Sequence, residues 1–192
     1  MEDKAKQVKQ VQLSDLPKVW VRKVATCISA WDLTKAGCFE RNNYRVFADR
    51  LVEIGGLSDK KADRVYERIK VAMVETEKFD PNFFSQRSTE ESILSIWAGM
   101  NSPEETKCWD VFWRNLFQAV DFNSDGHISF DEFVVFWKAF KLDPAQARLQ
   151  FDYIDTNHDG EISEDELVGA FIDYLSNQSD NGNRFFGPLL DF

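Results

Sequence analysis

The chain has 192 residues, of which 43% are hydrophobic and 14% aromatic, enough for a packed core and too apolar for a disordered tail. A formal net charge of -10, with a pI near 4.7, excludes the basic surface that a nucleic-acid binder needs to replace counterions on phosphates. No run of about 18 apolar residues is present to span a membrane.

Residues 1–13 are charged, lack an apolar stretch and read as a tail, not a secretory signal. Residues 14–54 read as helix, turn, helix. Trp20, Val21, Val24, Ile28 and Trp31 recur on one helical face, and Tyr44, Phe47, Ala48, Leu51 and Ile54 on the next. Gly55-Gly56 stops the second helix. A long helix is predicted from Ser58 to about Lys78. Ser88 with Glu91 forms a capping box for a helix carrying Ile93, Ile96, Trp97 and Met100, and Ser102 with Glu105 forms another for the helix after it. Phe112, Trp113, Leu116, Phe117 and Val120 lead into one acidic turn, and Phe133, Phe136, Trp137 and Phe140 follow it. Asp143-Pro144 supplies an N-cap and first-turn proline for a helix with Phe151 and Ile154. A second acidic turn then leads to Leu167, Ala170, Phe171 and Tyr174. Cys27, Cys38 and Cys108 are odd in number and irregularly spaced, which predicts reduced thiols and neither a disulfide framework nor a zinc cluster.

The charge is unevenly placed. Residues 1–120 hold 18 acids and 19 bases, whereas residues 121–192 hold 15 acids and 4 bases. Much of that acid lies in two twelve-residue stretches, Asp121 to Glu132 and Asp155 to Glu166, which both fit the EF-hand loop. Calcium is a hard cation that takes six to eight oxygens. Positions 1, 3 and 5 supply side-chain oxygens from Asp121, Asn123 and Asp125, or from Asp155, Asn157 and Asp159. Position 6 turns sharply and is Gly126 or Gly160. Position 7 gives its backbone carbonyl, from His127 or Glu161. Position 8, Ile128 or Ile162, faces the core and is expected to pair the two loops in a short antiparallel bridge. Ser129 and Ser163 ligate at position 9, directly or through water, and Glu132 and Glu166 close the shell with two oxygens. The chain's two histidines, His127 and His158, lie in these loops at positions whose side chains are not ligands and are expected to face solvent.

Laid on the same pattern, the earlier turn has Asp32 at position 1, Thr34 at 3, Ala36 at 5, Gly37 at 6, Cys38 at 7, Phe39 at 8, Glu40 at 9 and Asn43 at 12. Position 5 has no oxygen and position 12 no carboxylate, so the helix–loop–helix is expected to survive without its metal. Two registers compete for the segment after Phe79. One puts Asp80 at position 1 and Glu91 at 12, the other Pro81 at 1 and Ser92 at 12, and both predict no ion. The fold expected is therefore all-α: four EF-hand units in two pairs, residues 14–100 and 101–176, forming one body with short β-bridges between paired loops. A tail, 177–192, packs back on it.

With these loops in view, the chain resembles the invertebrate sarcoplasmic calcium-binding proteins and their calexcitin relatives, and more distantly the photoproteins and luciferin-binding proteins of cnidarians. The resemblance rests on length, on four hands with some degenerate, on aromatic-rich helices, and on the segment Asn181-Gly-Asn-Arg-Phe-Phe-Gly-Pro-Leu-Leu190, similar to the family's C-terminal segment that folds back on the body. The resemblance implies a cytosolic buffer for calcium, with magnesium competing. Two ions are expected, one in each intact loop. Only Met1, Met73 and Met100 are present, which speaks against a methionine-rich groove of the calmodulin kind. Two alternatives stay open: a sensor that exposes an apolar surface to a protein target, and a calcium-regulated binder of a small apolar ligand lined by Trp20, Trp31, Trp97, Trp109, Trp113 and Trp137. No phosphate-cradling loop or nucleophile elbow points to an enzyme.

Overall fold

The computed structural model describes residues 11–85 and 87–192; of the expected tail, 1–13, positions 1–10 lie outside them. A single 3-10 turn, Leu13–Asp15, precedes eight helices: α1 Lys18–Trp31, α2 Arg41–Ile54, α3 Asp59–Phe79, α4 Thr89–Gly99, α5 Pro103–Val120, α6 Phe130–Ala139, α7 Ala147–Ile154 and α8 Glu164–Ser176. Two short strands, β1 His127–Ser129 and β2 Glu161–Ser163, join the third and fourth loops.

The helices begin and end where their local chemistry predicts. Gly56 sits at φ +59° after α2, its N–H donating to Glu53 O and that of Leu57 to Val52 O, which satisfies the last carbonyls of the helix. Ser88 and Glu91 form the expected capping box at α4. At α5, Ser102 Oγ accepts from Glu105 N–H, but the return bond from the Glu105 side chain is absent. Its carboxylate lies against Gly99, where a Cβ would overlap it, and bonds Trp109. Asp143 Oδ1 accepts from Ala145 N–H and caps a 3-10 turn, Pro144–Gln146, that leads into α7.

The expectation of a β-bridge in each pair is met once. Ile128 faces Ile162 across β1 and β2 in the antiparallel register expected. Among the described residues this is the only sheet. The segment after α3 has no glycine and, among its described residues, no positive φ, and it presents no matching strand to Phe39; the Phe39 and Phe83 rings pack together instead, 5.2 Å apart.

The core runs through both halves. α3 lies along α5, α2 packs on α3 and α6, and α1 on α4 and α8. Trp31 stacks on Tyr44 at 4.6 Å and meets Phe140 at 4.8 Å, while Phe47 meets Phe140 at 4.4 Å. Trp20, Trp31, Trp113 and Trp137 are buried core; Trp97 and Trp109 are partly buried at its edge. Each fully buried large side chain is worth about 1.5–3 kcal/mol of burial.

The C-terminal segment enters this core. Phe185 and Phe186 are buried among Trp113, Phe171 and Tyr174. Asn183 is fully buried and donates to Ala170 O and to Asp173. Farther on, Arg22 donates to the carbonyls of Leu189 and Leu190, and Thr26 Oγ1 accepts from Leu190 N–H. Leu190 remains 43% exposed, because here the segment is held by its backbone and not by its side chain.

Candidate metal centre

Each intact loop folds around its first aspartate. Asp121 accepts from the N–H groups of Ser124, Asp125 and Gly126, and Asp155 from those of Asp159 and Gly160. Two residues make these bonds possible. Position 4 is left-handed (Ser124 φ +65°, His158 φ +59°), and position 6 is a glycine at φ +89° or +88°. Asp125 and Asp159 accept from the N–H of His127 and Glu161, which orients the loop toward its strand.

The exiting helix closes the loop. Glu132 Oε1 accepts from Phe122 N–H at 2.9 Å and its Oε2 from Ser129 N–H; Glu166 does the same with Thr156 and Ser163. Ser129 and Ser163 also cap α6 and α8. Burial alone would raise the Glu166 carboxyl, but hydrogen bonds from Ser163, Thr156 and Asn157 outweigh it and hold the group down at about 2. It is therefore an anion across the physiological range.

All twelve sequence-predicted residues sit in the two loops at either side of β1–β2. The side chains of Asn123 and Asn157 turn their amides to Asp125 and Asp159. His127 is half-buried beside Glu161, 3.8 Å away, and His158 is exposed. Among the described residues, no three His, Cys, Asp or Glu side chains stand close enough together to hold an ion as they lie. The donor set nonetheless fits calcium: three carboxylates, an amide oxygen, a serine hydroxyl and a backbone carbonyl per loop, all hard oxygens.

The first turn follows the same backbone course with different ends. Asp32 accepts from Ala36 and Gly37, Lys35 is left-handed at φ +64°, and Gly37 has φ +77°. Asn43 accepts from Thr34 N–H and donates to Cys38 O. The segment after α3 is different in kind: Asp80 accepts from Asn82 N–H and pairs with Arg87.

Sequence reasoning missed two features. Arg114 of α5 reaches Asp110, Glu164 and Asp165, tying the third hand's entering helix to the first turn of α8. Its spacing to Asp110, four residues, was a legible signal; its partners on α8 were not. The second is a cavity of about 170 Å³ lined on one side by Phe39, Phe79, Phe83, Ile96 and Trp109 and on the other by polar side chains, Asp80, Arg87 and Glu105 among them. Burial pushes the Glu105 carboxyl up to about 7, despite a bond from Trp109. Beyond this cavity, Trp113 is fully buried and its indole N–H has no partner among the described residues.

Comparison with known proteins agrees with this geometry. A family model describing an EF-hand domain pair matches residues 110–172. A sarcoplasmic calcium-binding protein of Hediste diversicolor is 33% identical over 179 residues, 90% of this chain and 99% of that protein. Among solved structures, the calcium-loaded coelenterazine-binding protein of Renilla muelleri superposes with a TM-score of 0.74 at 26% identity, over 88% of this chain and 96% of its own. The photoprotein n-aequorin, at 14% identity, shares the fold with a TM-score of 0.65 over 95% of this chain and all of its own.

Proposed function

Because the chain belongs to the sarcoplasmic calcium-binding protein family, we propose that this calcium-binding EF-hand protein takes two ions, one at Asp121–Glu132 and one at Asp155–Glu166, and works as a cytosolic buffer. The observation that carries the reading is the closure common to both loops: a first aspartate seated on its own backbone and a twelfth glutamate reaching back across the loop. Position 7 contributes the carbonyls of His127 and Glu161, and Asn123, Asn157, Ser129 and Ser163 complete the oxygens. Magnesium competes for the same loops with water in place of one glutamate oxygen. A buffer role, as opposed to a sensor's, is supported by the closed aromatic core and by the seating of Phe185 and Phe186 inside it. Among the described residues, no helix is long and apolar enough to cross a membrane. The carboxylates of the loops serve binding, and the reading assigns them no catalytic step.

Calorimetric titration of the metal-free protein with calcium, in about 1 mM magnesium, tests it. Two sites at about 10⁻⁹–10⁻⁷ M, weakened by magnesium, are expected. Two sites near 10⁻⁵ M that ignore magnesium would favour a sensor instead.

A second reading, a binder of a small apolar ligand, is favoured by the cavity beside Trp109. A cavity of about 150 Å³ holds one benzene-sized ring, whereas drug-sized ligands need roughly 300 Å³ or more. The occupant is therefore a single aromatic ring unless Phe79 and Phe83 move. Saturable shifts of the Ile96 and Phe83 NMR signals on titration with toluene are expected on this reading, and their absence ends it.

A further inference from the structure

The first loop is closed as completely as the metal loops, but by a different atom set. We infer that the Asn43 amide stands in for the cation there, so that the first hand is held shut without metal, and that residues 36 and 43 decide how many ions the chain takes.

In an EF-hand loop the ion ties three things together: the side-chain oxygens of the loop's first half, the carbonyl at position 7, and the carboxylate at position 12. A glutamate at position 12 has acceptors alone, so it cannot bond a carbonyl; a cation must lie between them. An amide carries a donor and an acceptor on one planar group. In the first loop Asn43 uses both. Its Oδ1 accepts from the N–H of Thr34, position 3, at 3.0 Å; Glu166 likewise accepts from Asn157 at position 3, while Glu132 and Glu166 both also take the N–H of position 2, Phe122 and Thr156. Its Nδ2 donates to Cys38 O at 3.2 Å, and Cys38 is position 7. The carbonyl that a metal would draw in is thus bonded directly by the exiting helix.

The rest of the loop agrees. Asn43 has no exposed surface, so an unpaired amide there would carry the cost of a buried polar group, about 1–3 kcal/mol. Asp32 accepts from Ala36 and Gly37 at 2.8 and 3.0 Å, no longer than the corresponding bonds of Asp121 and Asp155, so its seat does not depend on an ion. The Thr34 hydroxyl, at position 3, donates to Glu40, at position 9, which links two would-be ligand positions to each other. Ala36 and Asn43 replace the carboxylates of positions 5 and 12, so Asp32 is left with no carboxylate at either position to repel it. With the loop latched, the ends of α1 and α2 are fixed, and Trp31 stacks on Tyr44 directly behind it at 4.6 Å.

The proposal is independent of how tightly the third and fourth loops bind, because its test is a difference between variants. The full chain and the variants A36D, N43A and A36D/N43E are compared by calcium calorimetry and by amide hydrogen exchange at Thr34, Ala36 and Gly37, in EGTA and in calcium. In the wild-type chain these amides are expected to be equally protected in both conditions. N43A should lose the Thr34 protection in both conditions while its calcium stoichiometry stays at the wild-type value. A36D, which keeps the amide, should gain no ion. A36D/N43E should bind one ion more than wild type, and its loop protection should then require calcium. A double variant that folds only when calcium is added supports the inference equally. Protection of the wild-type loop that appears only with calcium would overturn it, since the loop would then hold its own ion. So would an extra ion in A36D alone, or a folded double variant with the wild-type stoichiometry. A wild-type chain that binds no calcium would defeat the buffer reading while leaving the exchange comparison and the gain of one ion readable.

Discussion

The first and third loops run the same backbone and end differently. Both seat an aspartate at position 1 on the N–H groups of positions 5 and 6, both have a left-handed residue at position 4, and both turn on a glycine at position 6. The third loop then carries Asp125 and Glu132 where the first carries Ala36 and Asn43. The shape of an EF-hand loop is thus written in positions 1, 4 and 6, and its metal chemistry in positions 5 and 12. The segment after α3 lacks the glycine and keeps neither. In one half a loop keeps its shape with an amide at position 12, and in the other each loop carries carboxylates at positions 1, 5 and 12.

The first prediction asks whether the halves are separable. Phe185 packs on Trp113, Phe136 and Phe171, at the centre of the shared core. Phe185→Ala should cost about 3–5 kcal/mol, and for a chain of this length each kcal/mol lowers Tm by about 2–4 °C. Scanning calorimetry in calcium should show one transition moved as a whole. Two transitions would mean that the halves melt apart and that the common core is not a common folding unit. The second sharpens the metal contrast. Glu132→Gln keeps the oxygen that Phe122 N–H bonds but removes the second anionic ligand oxygen, so the third hand should weaken by about 100-fold or more. The fourth hand and the first-loop amides should be unchanged, with calorimetry and hydrogen exchange as the readouts. Two sites of unchanged affinity in this variant would refute the assignment.

The third concerns Asp173 on α8, which accepts from Tyr153, Asn177, Asn181 and Asn183 and so pins the C-terminal segment. Burial would raise its carboxyl, but the three asparagines and the tyrosine outweigh burial and hold it below the usual range. The folded value is the lower one, so this contribution is fully present above the ordinary carboxylate pKa and is lost as pH falls beneath it. Asp173→Asn should lower stability at pH 7 by about 1–3 kcal/mol, and by less at pH 3, in urea midpoints. An equal loss at both values would show that the charge is not what holds the segment.

Much of the second half was legible because its signals are redundant. The spacing of oxygens, the glycine and the flanking apolar faces all give one register from Asp121 to Glu132, and again from Asp155 to Glu166. The first loop was legible in shape but not in closure. Asn43 reads as a lost ligand, and only its burial and its two bonds show that the amide substitutes for what was lost. The segment after α3 left two registers open, and the missing glycine that made the alignment ambiguous also removed the strand that would have formed a second bridge. The tail, residues 177–192, was expected to pack back on the body. Composition signals burial of the segment, but it does not reveal that Arg22 and Thr26 hold its end by the backbone. Glu105 was read as a capping residue, since sequence spacing cannot show that α4 ends in Gly99, which leaves room for its carboxylate to turn inward.

That inward turn gives the smallest effect and places it where the two halves meet. Glu105 lies in the first turn of α5, against the last turn of α4, and burial pushes its carboxyl up to about 7; Trp109 offsets this in part and Asp80 adds to it. In the unfolded chain a glutamate titrates near pH 4.3. The folded value is the higher one, so the folded state resists ionisation. The destabilisation is absent below pH 4, grows as pH rises toward 7 and is complete above it. Gln is neutral throughout and nearly the same shape, so Glu105→Gln should match wild type in urea midpoint at pH 4 and exceed it at pH 8. The gap should be the same with and without calcium, because the residue touches neither intact loop. A gap that does not change with pH would mean that the carboxylate is solvated. A gap that appears only in calcium would mean that loading the second half moves α5 against α4, and the independence of the two halves in metal response would then be lost.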